Sequence, residues 1–167
     1  PTKDKWDLVF SNAALQWIDN HQELFPRIVK LLKPNGQLAI QMPVQTENVL
    51  NKILLKLVQE EPYASQLNHF VRNSPVLTMD EYAQILFEND LTDIEIYQKI
   101  YPIIGETADD FYDFIAGSAV IPYIELLKGE EKEEFIKEFK KRIGEHYRKF
   151  PAIYAFKRIL IYARLKS

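Results

Sequence analysis

The sequence predicts an α/β fold, in which a sheet with parallel strands packs against helices. Two short segments, residues 6–10 and 37–42, are rich in apolar residues in the manner of buried strands. Between them, apolar residues recur at helical spacing from His21 to Leu32. A helix that connects two strands of one sheet predicts a right-handed parallel crossover, and this unit defines the fold class.

The composition narrows the class of protein. At 167 residues, with 47% hydrophobic and 27% charged residues, the chain fits one globular domain. A net charge of -3 argues against nucleic-acid binding, which requires clustered Lys and Arg. No stretch approaches the roughly 20 apolar residues of a membrane span, and the lack of Cys excludes disulfides and thiolate metal sites. We therefore expect a cytoplasmic protein that binds neither nucleic acid nor membranes.

The first unit carries clear boundary signals. The run at residues 6–10 is nearly continuous in apolar residues, as in a strand that is covered on both faces. Asp19 or Asn20 can cap the following helix, and Pro26 fits best if that helix begins only a residue or two before it. Residues 33–36, Lys-Pro-Asn-Gly, are expected to end the helix and to form a turn.

The remaining elements follow from caps and periodicity. They are a helix from Thr46 to about Glu60, a helix that begins at the capping box of Thr78 and Glu81, a strand from Leu91 to Ile104, a helix capped by Thr107, a helix from Glu130 to Arg148 and a closing strand from Tyr154 to Leu165. Parallel sheets bind ligands at the carboxyl ends of their strands, so Asn12 and Met42 mark the expected site.

Few residues carry a recognisable chemical signature. His21, His69 and His146 lack the spacing of metal ligands and are expected to be surface or capping residues. The basic run at residues 140–142 is expected to be solvated, at the end of an amphipathic helix. Taken without any resemblance, Tyr112 and Tyr123 fit the core better than a ligand cover. We predict no metal site and no residue for proton transfer.

One joint pattern is more specific. Residues 7–17, Asp-Leu-Val-Phe-Ser-Asn-Ala-Ala-Leu-Gln-Trp, are followed at residues 31–43 by Leu-Leu-Lys-Pro-Asn-Gly-Gln-Leu-Ala-Ile-Gln-Met-Pro. Together they resemble the fourth strand, the next helix and the fifth strand of the seven-stranded, Rossmann-like S-adenosylmethionine-dependent methyltransferases. The segment Ser-Asn-Ala-Ala-Leu-Gln-Trp, together with Gln-Met-Pro, is similar to the corresponding motifs of the trans-aconitate 2-methyltransferases. The malonyl-carrier-protein methyltransferases share part of this segment but fit the later segments less well.

The resemblance covers nearly the whole chain and implies its organisation. Residues 1–167 would be the C-terminal part of a methyltransferase domain, with strands four to seven arranged in the order four, five, seven, six. Helical insertions would lie at about 45–75 and 106–150, the second acting as a lid. The Gly-rich loop and the ribose-binding acid that strands one to three carry have no counterpart here, since the five glycines are scattered. We therefore expect this segment alone to bind the cofactor poorly.

The resemblance also implies an activity and its contacts. The expected reaction is methyl transfer from S-adenosylmethionine to a small acid, as the O-methylation of a carboxylate on a trans-aconitate-like substrate. The implied cofactor contacts are Asn12, Ala13 and Leu15, and the implied substrate contacts are Gln16, Trp17, Met42, Tyr112 and Tyr123. Ile121 stands where the family pattern has an Arg before a Pro-aromatic pair, which predicts an acid with fewer charges than trans-aconitate.

An alternative comes from a different class. Without strands one to three, the sheet would expose a long hydrophobic edge. The polypeptide would then be a catalytically silent fragment, truncated or proteolysed, that acts as a self-associating structural module. In either case a homodimer that forms through the exposed sheet edge is an expectation of the sequence.

Overall fold

The computed structural model describes residues 5–167, and the first four residues of the predicted 1–167 segment lie outside the described range. The chain divides into two compact units. The first contains residues 5–44, 74–100 and 157–167, and the second contains residues 45–73 and 101–156.

The described residues form a four-stranded mixed sheet and seven α-helices. The strands are β1 (Trp6–Asn12), β2 (Leu32–Pro43), β3 (Leu91–Gly105) and β4 (Ala152–Leu165), in the order β1-β2-β4-β3. The helices are α1 (His21–Val29), α2 (Val49–Val58), α3 (Tyr63–Gln66), α4 (Met79–Glu88), α5 (Ala108–Ala116), α6 (Ile121–Ile124) and α7 (Glu130–Tyr147). β1 pairs with β2 in parallel and β2 pairs with β4 antiparallel. This order equals the four-five-seven-six arrangement that the resemblance implies.

Two helices begin at the residues that the sequence indicates. The Thr78 side chain accepts a hydrogen bond from the Glu81 N–H, and the Glu81 carboxylate accepts one from the Thr78 N–H. Thr107 and Asp110 form the same reciprocal pair at the start of α5. Each capping box satisfies N–H groups that have no partner inside the helix, so both helix starts are fixed locally.

The first helix and the second strand differ from their predicted bounds. α1 begins at His21, after the Asn20 cap, and Pro26 lies well inside it. The N–H that proline lacks would have bonded the carbonyl of Gln22, which is exposed near the helix start. The strand β2 begins at Leu32, five residues earlier than expected, because Trp6 pairs with Leu32.

Residues 33–36 therefore form an irregular segment within β2 and not a turn before it. The register passes from Trp6↔Leu32 to Leu8↔Gln37, so this segment is accommodated as a bulge. Asn35 adopts a φ of 63°, and a Cβ on Gly36 would lie 2.8 Å from the Lys33 carbonyl oxygen. The close backbone approach thus favours glycine at position 36, and the left-handed conformation at position 35 is one that Asn tolerates.

The expectation that β1 is covered on both faces is wrong for the described residues. β1 lies at an edge of the sheet. As every second residue of the strand, Trp6, Leu8 and Phe10 share one face of β1, and they are 51%, 52% and 66% exposed. Only the opposite face of β1, through Val9, packs against the first core.

Each unit has its own hydrophobic core. In the first unit, apolar residues of β2 and β4 pack against α1 and α4 around Phe25 and Tyr82, whose ring centroids are 4.7 Å apart. In the second unit, α2, α5 and α7 pack around Phe111, Phe135 and Phe139, which are fully buried. None of the helices built from residues 5–167 is long and apolar enough to cross a membrane.

Candidate functional site

The segment from Asn12 to Trp17 connects β1 to α1 at the carboxyl end of two parallel strands. Asn12 is exposed and pairs with Gln41 of β2. The next N–H, of Ala13, donates to the Gln41 carbonyl at 2.8 Å. Ala13 has a φ of 52°, a left-handed conformation that is uncommon outside glycine and that turns the chain away from the strand. Doubly wound sheets bind ligands at this kind of position.

Gln16 is the most informative side chain of this turn. It is 3% exposed, and its Nε2 donates to the Ala13 carbonyl at 2.8 Å. Because that carbonyl only accepts, the amide nitrogen must face it and the orientation of the amide is fixed. Oε1 of Gln16, like Oε1 of Gln41, has no hydrogen-bond partner among the described residues. A buried, unpaired acceptor is costly, which makes it a candidate for a ligand N–H or O–H.

Trp17 ends the short 3₁₀ helix formed by Leu15–Trp17. Its N–H donates to the Ala14 carbonyl at 3.2 Å, and the Ile18 N–H donates to the Leu15 carbonyl at 2.9 Å. The Trp17 side chain is half-buried, whereas Leu15 is 9% exposed and belongs to the first core. The turn therefore packs Leu15 inward and leaves Asn12 and part of Trp17 accessible.

Met42, the predicted contact on β2, is fully buried in the first core. Its side chain and that of Leu15 support the strand ends from the core. Of the predicted contacts in this unit, Asn12, Ala13, Gln16 and Trp17 are therefore brought together in one turn.

The predicted contacts of the second unit, Tyr112 and Tyr123, are core residues of that unit. Tyr123 is 3% exposed, and its hydroxyl accepts a hydrogen bond from the Arg72 N–H at 3.1 Å. Tyr112 is 9% exposed, and the Lys140 ammonium lies 4.8 Å from the centre of its ring. Burial raises the pKa of both phenols above the ordinary value, so both remain protonated.

A buried histidine was missed by the sequence analysis. His21 is fully buried and not at the surface, and it bonds Tyr82 through Nδ1 and the Leu15 carbonyl through Nε2. Its partner Tyr82 lies 61 residues further along the chain. The Asp-Asn-His sequence at the helix start resembles an ordinary cap. No local pattern distinguishes a buried histidine from an exposed capping histidine.

The second unit has a groove of about 400 Å³, lined by Ile53, Lys56, Glu60, Glu138, Arg142, Glu145 and His146. Arg142 was expected to be solvated, but its guanidinium lies 2.7 Å from the Glu60 carboxylate and 2.8 Å from that of Glu138. Lys56 lies 3.9 Å from the Glu60 carboxylate, so both cations of this groove are paired with its glutamates. Within the part of the chain that the structure describes, no group of three or more His, Cys, Asp or Glu side chains could hold a metal ion.

Comparisons with known proteins find similar sequences among methyltransferases. Residues 1–40, which contain β1 and the turn, match the family model described as a methyltransferase domain. Over 164 residues, or 95% of its length, the chain is 31% identical to a trans-aconitate 2-methyltransferase of Deinococcus radiodurans. The chain is thus similar in sequence to trans-aconitate 2-methyltransferases. The resemblance read from residues 7–43 is thereby confirmed.

Further relatives of this group give the same result at lower identity. A trans-aconitate 2-methyltransferase of Variovorax paradoxus is 27% identical, and one of Escherichia coli K12 is 29% identical, each across 95% of the chain. The chain covers 63%, 60% and 62% of the three relatives' lengths, respectively. It therefore spans about three-fifths of the trans-aconitate 2-methyltransferases that it matches.

Solved structures identify the fold. A loganic acid methyltransferase solved with SAH superposes with a TM-score of 0.63 over 99% of this chain and 63% of that chain, at 13% identity. The YcgJ protein from Bacillus subtilis superposes with a TM-score of 0.53 over 98% of this chain and 65% of that chain, at 15% identity. These likenesses concern the fold alone, and the chain has an α/β methyltransferase fold.

Proposed function

We propose that the protein containing this chain transfers a methyl group from S-adenosylmethionine to a carboxylate oxygen of a small acid. The observation that carries this proposal is the 31% identity to a trans-aconitate 2-methyltransferase over 95% of the chain. The turn after β1 supports it, because its exposed and unpaired groups lie where such sheets bind ligands.

The turn is chemically suited to part of the cofactor. S-adenosylmethionine would supply a methyl group that is activated by a sulfonium. Asn12 is exposed at the strand end, and the left-handed Ala13 exposes backbone there. The unpaired Oε1 of Gln16 can accept an N–H or O–H, groups that an adenosyl moiety carries. Leu15 would contribute through its backbone, because its side chain is buried.

On the substrate side, we assign Trp17 and Gln16 to the border of the acceptor pocket. An indole N–H would donate to a carboxylate oxygen, and the unpaired Oε1 of Gln16 would accept an N–H or O–H of a ligand, both without adding a charge. A carboxylate is already ionised at neutral pH, so the chain needs no general base for this reaction. Its contribution would then be alignment and the exclusion of water, effects that reach about 7–11 kcal/mol in well-oriented systems.

The roles of the other predicted contacts are narrower. Met42 is fully buried and would hold the strand end in place. Tyr112 and Tyr123 are largely buried in the second unit, which favours a core role over ligand contact. Ile121 begins α6 and is 36% exposed. In the family pattern this position carries an Arg, whose guanidinium could bind a carboxylate. We therefore propose an acceptor with fewer charges and more apolar surface than trans-aconitate.

The experiment measures formation of S-adenosylhomocysteine by the full-length protein with trans-aconitate and a panel of monocarboxylic acids. We expect turnover with at least one acid, and we expect Trp17→Ala to lower kcat/KM more than it lowers the melting temperature. Phe87→Ala is the control, because Phe87 is an aromatic residue outside the turn and is 67% exposed on α4. Absence of turnover with every acid, or equal effects of the two variants, would overturn the proposal.

A further inference from the structure

His21 and Tyr82 form a buried hydrogen-bond chain that ends at the candidate turn. Both side chains are fully buried. Nδ1 of His21 lies 2.5 Å from the Tyr82 hydroxyl, and Nε2 lies 3.0 Å from the Leu15 carbonyl oxygen. The Tyr82 hydroxyl also accepts a hydrogen bond from the Leu77 N–H at 3.1 Å.

The partners determine which atoms carry protons. The Leu15 carbonyl can only accept, so Nε2 of His21 carries the proton and donates it. In the tautomer with its proton on Nε2, Nδ1 accepts from the Tyr82 hydroxyl. Burial raises the pKa of Tyr82 far above the ordinary value, so this hydroxyl keeps its proton. Every donor in the chain from Leu77 to Leu15 therefore has an acceptor.

The Phe25 ring packs against both members of the hydrogen-bonded pair, His21 and Tyr82. The Phe25 ring centroid lies 5.5 Å from that of His21 and 4.7 Å from that of Tyr82. The carbonyl at the end of the chain, that of Leu15, also accepts from the Ile18 N–H and so closes the 3₁₀ turn. Gln16 and Trp17 lie directly within this turn.

We infer that Tyr82, acting through His21, is a positioning residue for the turn that presents Gln16 and Trp17. The inference that the positioned turn serves methyl transfer rests on the proposed function. The physical link between Tyr82 and the turn is independent of the proposed function, because it depends only on hydrogen bonds among the described residues. A network of fully satisfied buried groups specifies one geometry more strictly than apolar packing does.

Trp17 fluorescence tests the link without any assay of activity. Trp6 and Trp17 are the two tryptophans of the chain, so Trp6→Phe leaves Trp17 as the only reporter. In this background Tyr82→Phe keeps the ring against Phe25 but removes the hydroxyl. We expect a red shift of the Trp17 emission and stronger quenching by acrylamide at temperatures where circular dichroism shows a folded chain.

Tyr147→Phe is the matched control. The Tyr147 hydroxyl is buried without a hydrogen-bond partner among the described residues, and it belongs to the second unit. This variant should leave the Trp17 emission unchanged. His21→Gln is the second test variant, because it removes the ring and keeps a polar side chain.

The outcomes separate the inference from the proposed function. Unchanged Trp17 emission in a folded Tyr82→Phe or His21→Gln chain overturns the inference. Failure of both variants to fold overturns it too, because the network would then serve the whole core. In the full-length protein, the shift should accompany a lower kcat with a smaller change in KM. A spectral shift in a protein that methylates no acid would reject only the proposed function.

Discussion

The guanidinium of Arg142 on α7 lies 2.7 Å from the carboxylate of Glu60, which follows α2. The same guanidinium lies 2.8 Å from Glu138, one turn earlier on α7. These contacts connect two helical segments of the second unit through one side chain that is 23% exposed. The hydrogen bonds and charge of Arg142 hold the pKa values of both glutamates below the ordinary value.

The stability that Arg142 contributes should depend on pH. A carboxyl group with a lowered pKa in the folded state stabilises the fold above its unfolded pKa, and this effect is lost as the pH falls through the folded pKa. The window therefore lies below the ordinary glutamate value of 4.5. We expect Arg142→Met to lower the melting temperature at pH 7 by about 4 °C or less, because the pairs are partly exposed.

The difference between wild type and Arg142→Met should shrink in a second, acidic buffer, because both carboxylates take up protons as the pH falls through their lowered pKa values. Thermal unfolding followed by circular dichroism at both pH values measures it. Lys137→Met is the matched control, since Lys137 is an exposed cation on the same helix. A difference that is equal at both pH values would reject this account.

Gly36 should not tolerate a side chain. A Cβ there would lie 2.8 Å from the Lys33 carbonyl oxygen and 3.0 Å from that of Trp6, both backbone atoms. We expect Gly36→Ala to lower the free energy of unfolding by about 1–3 kcal/mol, the usual range for overpacking. Gly117→Ala is the control, because no atom lies within 4 Å of its Cβ position. Urea unfolding measures the stability of both variants. Equal unfolding midpoints for Gly36→Ala and Gly117→Ala would show that the bulge accommodates the added methyl group.

Ile121→Arg should increase activity towards trans-aconitate in the full-length protein. A guanidinium can form a bidentate, charge-assisted pair with a carboxylate that an isoleucine cannot bind. We expect an increase in kcat/KM of about tenfold, which corresponds to about 1.4 kcal/mol. Ile104→Arg is the control, since Ile104 is a 71% exposed isoleucine of the same unit. Efficient turnover of trans-aconitate by the unmodified protein would show that Ile121 was misinterpreted.

The outer edge of β1 should promote self-association of this chain. β1 is an edge strand of the sheet formed by the described residues, so one side of its backbone can pair with another strand. Its exposed face adds apolar surface from Trp6, Leu8 and Phe10. We expect sedimentation velocity to show a dimer that Phe10→Glu shifts towards the monomer. Phe87→Glu is the control, because Phe87 is 67% exposed on α4. A wild-type chain that is monomeric at high micromolar concentration would contradict the prediction.

Much of the fold could be predicted from local signals. The capping boxes at Thr78 and Thr107 involve residues three positions apart, so the sequence alone determines where α4 and α5 begin. The acids at the start of α7 likewise mark its first turn. The order of the four strands was obtained from a resemblance of the motifs and not from periodicity.

The candidate site divides in the same way. It could be predicted that one turn at the end of β1 holds Asn12, Ala13, Gln16 and Trp17, because these residues are close together in sequence; their contacts with ligands stay a prediction. The burial of Met42 could not, because strand alternation does not say which face of β2 is covered. The sequence also gave no reason to expect that Oε1 of Gln16 is unpaired, since this depends on every group around it.

The sequence by itself determined the α/β class, the starts of α4 and α5 and the turn after β1, since these depend on residues close together in the chain. Only the tertiary structure decided that His21 is buried against Tyr82 and that Arg142 pairs with Glu60. It also decided that β2 begins at Leu32, through pairing with Trp6. The physical reason is distance along the chain. A polar side chain can be buried only when partners satisfy it, and these partners come from segments that folding alone brings together.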